Sequence, residues 1–175
     1  MGYQRHTVLI VKIRTATPRD LDAIVDVFRG CWNISYSELL PHDVREGMTS
    51  EKAREMWGAS VTPHPDRTTL VVEIADSVVA VARIGIDPND GMSGHLFSLY
   101  VHPNSSGKGI GRALLLEAMK QLAEQGFIRR TLWVFRDNAA AKNLYISIGF
   151  IPSGAEKTDP RWKIPEIELV LTSQQ

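Results

Sequence analysis

The chain has 175 residues, a hydrophobic fraction of 43% and twenty basic against twenty acidic side chains. That length argues for one domain spanning residues 1–175, and the apolar content suits a continuous core and is too high for a disordered chain. Zero formal charge argues against a broadly basic surface for nucleic acid or an anionic membrane, so attraction to any phosphate ligand has to be local.

Taken in chain order, Val8–Arg14 reads as a first strand. Its apolar run is too short for a signal-peptide core or a membrane span. The sixth position is His6, so Gly2 is not followed by the Ser or Thr of a myristoylation signal. Thr17-Pro18-Arg19-Asp20 opens a helix: Thr17 caps, Pro18 suits the first turn and Asp20 offsets the dipole. Leu21, Ile24, Val25 and Phe28 share its inner face. Cys31 is the only cysteine; it reads as a small, partly buried side chain in a protein of a reducing, cytoplasmic compartment. Residues 31–60 are helical or irregular, with a helix at Ser50–Ala59. Thr69–Ile74 and Val78–Ile86 form an antiparallel hairpin, followed by a turn cluster at Asp87–Gly91.

A strand at His95–Val101 leads into a glycine turn and a helix over Ile110–Gln125. Leu132–Phe135 is a strand and Asn138 opens a shorter helix ending at Gly149. Two strands follow, near Phe150–Ser153 and Ile167–Leu171. The order β-α-α-β-β-β-α-β-α-β-β specifies an α/β fold with a mixed, mostly antiparallel sheet flanked by helices.

The turn Pro103-Asn104-Ser105-Ser106-Gly107-Lys108-Gly109-Ile110-Gly111-Arg112 carries the chemistry. Pro103 ends the strand, and three alternate glycines allow unusual dihedrals and close approach of a ligand. A strand, a glycine turn and a helix N-terminus make an anion site, because unpaired N–H groups and the helix dipole point outward together. Lys108 and Arg112 add cations. The spacing fits neither a P-loop, since Gly109 follows Lys108 where Ser or Thr is required, nor the dinucleotide fingerprint, since Gly111 comes one residue early. The bare alternative is a β-α connection with no ligand. Downstream, Asn138 is a good N-cap and Gly149 a good C′ residue. Ala141, Leu144, Tyr145 and Ile148 share a helix face, so Tyr145 points inward with a hydroxyl that needs a partner.

Together, LYVHP…SGKGIGRALL and RDNAAAKNLYISIGF resemble, in order and spacing, the two motifs of the GNAT superfamily of acyl-CoA-dependent N-acetyltransferases. The resemblance implies that backbone amides of Ser106, Gly107, Lys108, Gly109, Ile110, Gly111 and Arg112 hold the pyrophosphate of acetyl-CoA. It also implies that the strand at Leu99, Tyr100 and Val101 pairs with the pantetheine arm, with an amide near Leu99 polarising the thioester carbonyl. Asn138 is then a contact to the arm and Tyr145 the acid for the departing thiolate. The partners are acetyl-CoA and a primary amine, with no metal, nucleic acid or membrane, and a homodimer is expected by resemblance.

Two positions depart from the family pattern. Ser106 stands where Arg or Gln is usual. His95 stands where many relatives carry a glutamate base; it reads either as the base or as a strand-edge histidine without a chemical role. Cys31–Pro41 resembles the stretch that lines the acceptor side, so Trp32 and Tyr36 are pocket or core residues, and Arg161-Trp162-Lys163 is a closing loop or a solvated turn. The rival functions are a non-catalytic acyl-CoA sensor and a transferase for longer acyl chains.

Overall fold

The computed structural model describes residues 11–172. Residues 8–10 of the expected first strand, and the segment from Gly2 to His6, lie outside them. The elements are β1 (Val11–Thr15), α1 (Leu21–Gly30), α2 (His42–Gly47), α3 (Ser50–Gly58), β2 (Arg67–Ile74), β3 (Ser77–Asp87), β4 (Asp90–Val101), α4 (Ile110–Glu124), β5 (Arg129–Phe135), α5 (Ala139–Ile146), β6 (Ile151–Thr158) and β7 (Pro165–Thr172). The order is the expected one with α2 added. The turn cluster contracts to Pro88-Asn89, since β3 runs to Asp87 and β4 starts at Asp90.

The strands form one seven-stranded sheet in the order β1-β2-β3-β4-β5-β7-β6. Among the described residues, every pairing is antiparallel except that of β4 with β5. Consecutive residues of β2 show why both faces must be covered: Leu70, Val71 and Val72 are all fully buried, and alternation sends them to opposite sides. Leu70 and Val72 pack with Leu114, Leu115, Ala118 and Leu122 of α4. Val71 and Val81 pack with Ile24 and Phe28 of α1, Trp32, and Trp57 of α3.

Asp20 does more than offset a dipole. It is buried and accepts from Arg14 through both carboxylate oxygens at 2.8 Å, and from the Thr17 amide at 2.7 Å. The Arg14 guanidinium holds its carboxyl down at about 2, which ties the entry of α1 to β1. Cys31 is buried in a π-helical turn after α1; its thiol donates to the Val101 carbonyl at 2.9 Å and burial raises its pKa to about 11. A thiol held protonated in this way is a structural link, not a nucleophile.

Candidate active site

The parallel seam between β4 and β5 is short. It joins Gly94, His95 and Leu96 to Arg130, Thr131 and Leu132. Beyond Leu96, β4 continues against β3 while β5 follows β7, so the sheet splays. A β-bulge accompanies the parting: Arg83 of β3 pairs with Ser98 and Ile84 with Leu96, leaving Phe97 as the extra residue. The bulge lets Leu96 and Leu99, three apart, pack on the same face.

A cavity of about 560 Å³ occupies the splay. One side is lined by Leu99 and Tyr100 of β4 with Asn138, Leu144 and Tyr145 around α5. Tyr145 is 7% exposed, burial pushes its pKa well up, and its hydroxyl makes no hydrogen bond among the described residues. Asn138 caps α5, accepting from the Ala141 amide at 3.1 Å, while it also lines the cavity.

The glycine turn adjoins this side without lining it. Gly107 and Gly109 sit at φ +74° and +78°, where a side chain is strained, and nothing lies within 4 Å of the Cβ position of either. Gly111 is glycine for a different reason: a Cβ there would stand 3.3 Å from Val101, 3.6 Å from Leu144 and 3.9 Å from Leu99. Ile110 is buried as the first core residue of α4. No side chain caps the N-terminus of α4, so its first amides are presented outward. Lys108 donates to the Asn104 carbonyl at 3.2 Å. Ser106 is exposed and Arg112 is exposed.

His95 lies mid-sheet, paired with Gly85 on one side and Thr131 on the other, and is buried. The strand-edge reading is therefore corrected. Its Nδ1 stands 2.6 Å from Thr131 Oγ1, which in turn donates to Asp87 Oδ2 at 2.5 Å. A hydroxyl that donates to Asp87 accepts from Nδ1–H, so Nε2 is the basic nitrogen. Burial lowers the His95 pKa, with Asp87 opposing. The imidazole is thus held neutral at physiological pH.

The opposite side of the cavity is built from residues with no signal in sequence. Arg67 of β2, Arg83 of β3, Lys157 of β6 and Glu166 of β7 line it. Glu166 is 8% exposed, its Oε2 has no hydrogen-bond partner among the described residues, and burial raises its pKa. Lys157 lies directly across the β6–β7 ladder, yet its Nζ rests over the Trp133 ring at 4.2 Å. Trp32 and Tyr36 serve as both core and wall: Trp32 packs on Phe28 at 5.1 Å and on Trp162 at 5.3 Å, and both line the cavity. The segment at 161–163 is a wall as well, since Trp162 closes on Trp32 while Lys163 pairs with Asp43 of α2.

A family model described as the acetyltransferase (GNAT) family matches residues 21–150. The chain belongs to the GNAT acetyltransferase family. It is an N-acetyltransferase by class. Among relatives, a spermidine N(1)-acetyltransferase of Thermoplasma acidophilum is 26% identical over 153 residues, covering 85% of this chain and 93% of its own length. A mycothiol acetyltransferase of Kocuria rhizophila is 36% identical over 78 residues, which span 26% of that protein. Among solved structures, a PaiA N-acetyltransferase of Thermoplasma acidophilum in complex with coenzyme A superposes with a TM-score of 0.79 at 23% identity, covering 94% of this chain and 99% of that one. This GNAT member therefore shares its fold, over 94% of the chain, with a structure that holds coenzyme A.

Proposed function

We propose that this GNAT protein transfers the acetyl group of acetyl-CoA to a primary amine by direct attack on the thioester. The observation that carries the reading is the splay itself: past Leu96, the edge of β4 that faces β5 has no strand partner among the described residues. An extended amide-bearing arm fits such an edge. The rest of the site suits the same ligand. Gly107 and Gly109 keep the turn clear of side chains, and the uncapped start of α4 supplies donors for a pyrophosphate. With backbone supplying those donors, Ser106 in place of Arg or Gln weakens the site without abolishing it.

The chain's own residues then divide the proton work. His95 Nε2 takes a proton from the acceptor ammonium, directly or through water, while Thr131 and Asp87 hold the ring in the tautomer that leaves Nε2 free. The amine forms a C–N bond as the C–S bond breaks, and an amide of β4 near Leu99 polarises the carbonyl. Tyr145 gives its proton to the departing sulfur. Its high pKa keeps it protonated for that purpose; the nitrogen of the new amide then loses its remaining proton to the tyrosinate, through solvent, which restores the hydroxyl, and His95 passes its proton to solvent.

Calorimetric titration with acetyl-CoA, with desulfo-CoA and NAD as controls, tests the ligand; thiol release over a panel of amines tests turnover. Saturable binding of the CoA species alone, with affinity on the order of micromolar, followed by amine-dependent thiol release is the expected outcome. Folded protein that binds no CoA species would overturn the assignment, and binding without thiol release from any amine would make the protein a sensor.

A further inference from the structure

The cavity carries more positive charge than its own carboxylates neutralise. Arg14 pairs with Asp20 and Glu73 and Arg129 with Glu168 elsewhere in the protein, and within the cavity wall Arg161 pairs with Asp159. Arg67 and Arg83 differ. Neither has a carboxylate within ion-pair distance among the described residues, although Arg83 is partly buried. Arg83 donates from Nη1 to Ser60 at 2.9 Å, and its Nε is buried with no hydrogen-bond partner among the described residues. Both guanidinium groups stand by the ring of the bulge residue, 5.2 and 5.6 Å from the Phe97 centroid. Two like charges gathered at one ring repel each other, and burial, then Arg67 and Arg161, lower the pKa of Arg83.

The backbone register aims this pair at the reacting end. Thr131, His95, Gly85 and Arg67 form one row across β5, β4, β3 and β2, so they share a face of the sheet. His95 and Arg67 are two strands apart, roughly 10 Å between backbones. Gly85 separates them, and a Cβ there would stand 3.0 Å from Arg67 Cγ and clash with the Asp66 carbonyl. The missing side chain is what lets Arg67 lie close over the face that bears His95. Glu166, buried and without an ion partner among the described residues, lines the same cavity.

We propose that the acceptor is a small amine bearing a carboxylate, with Arg83 and Arg67 gripping the carboxylate while the amine faces His95. This rests on the acetyl-transfer reading above. A carboxylate relieves the repulsion between the two guanidinium groups and satisfies donors that the protein leaves free. Glu166 balances the acceptor's ammonium. A polyamine, the acceptor named for the Thermoplasma relative, would instead bring further cations against Arg67, Arg83 and Arg161.

The test compares amino acids with their matched carboxamides, and with spermidine, by thiol release and by calorimetry on protein saturated with desulfo-CoA. The carboxylated acceptors are expected to exceed their amides by about tenfold or more in kcat/KM, the loss typical of a removed charge-assisted contact, with spermidine poorer still. Arg83→Met keeps an unbranched side chain but removes the guanidinium that stands over Trp57, and Arg67→Gln changes an exposed residue, so the second remains informative if the first misfolds. Each is expected to move the carboxylate-to-amide ratio towards one. Amides or spermidine used as well as the carboxylates would overturn the proposal, as would a preference that survives both substitutions. So would thiol release from none of the carboxylated amines by protein that binds acetyl-CoA. Protein that binds no CoA species fails at the earlier step, which separates the loss of acetyl transfer from the loss of this specificity.

Discussion

The two sides of the cavity are made of different material. Towards α4 and α5 the groups proposed to take the cosubstrate are the backbone amides of the adjoining turn, kept accessible by Gly107 and Gly109 at positive φ, and one tyrosine. On the far side they are long charged side chains from β2, β3, β6 and β7. A site made of backbone depends on chain path, so it tolerates Ser106 where a cation is usual. A site made of side chains depends on identity at single positions, so a few substitutions change what it accepts. A constant donor and a variable acceptor call for that division.

The comparison can be broken most severely at Tyr145. Tyr145→Phe is expected to lower kcat by about 10²-fold or more and to leave acetyl-CoA affinity within about twofold, because the hydroxyl acts when the sulfur departs. Wild-type turnover would remove Tyr145 from the mechanism. Next in size is His95. Burial lowers its pKa, so the imidazole is the neutral base at pH 7, and kcat/KM should fall only as pH drops through a value below the ordinary histidine near 6.5. His95→Asn should lower the rate and abolish that acidic limb; a limb that persists unchanged belongs to another group. The smallest effects come from a matched pair in the turn. Gly109→Val forces a β-branched residue towards a left-handed conformation, which costs about 1–2 kcal/mol, so acetyl-CoA affinity should weaken by about tenfold. Ser106→Arg should strengthen it only by about two- to fivefold, as one exposed cation near a helix N-terminus bearing an anion. If calorimetry shows a larger gain from Ser106→Arg than loss from Gly109→Val, side chains dominate this side too.

The same division explains what was legible in the sequence. The glycine turn, α4, Asn138 and Tyr145 lie within one contiguous stretch, so spacing marked the turn and the two helices, and the resemblance of the paired motifs singled out Asn138 and Tyr145. Arg67, Arg83 and Glu166 come to one cavity only through the folding of the sheet, and none has a neighbour in sequence that marks it. The bulge had a trace in Leu96, Leu99 and Val101, whose odd spacing cannot fit one face of a regular strand. Helix α2 is six residues long, too short for a periodic signal. Strand β6 is exposed along its whole length, holds Pro152 and has Gly154 at φ +91°, so it lacks the alternation by which strands are read; the expected end at Ser153 fell five residues short of Thr158.

The three-residue seam between β4 and β5 has a consequence for the durability of the molecule. The sheet's two leaves are stitched together over that span and then part, so beyond it, among the described residues, the lips of the splay are not paired to each other. A ligand laid between them, as proposed, would serve as the absent strand. Resistance to unfolding would then become a function of cosubstrate supply: by mass action, free ligand at a hundred times its dissociation constant adds about 2.7 kcal/mol. In a cell, the thermal tolerance of such a protein would follow the abundance of its acyl donor.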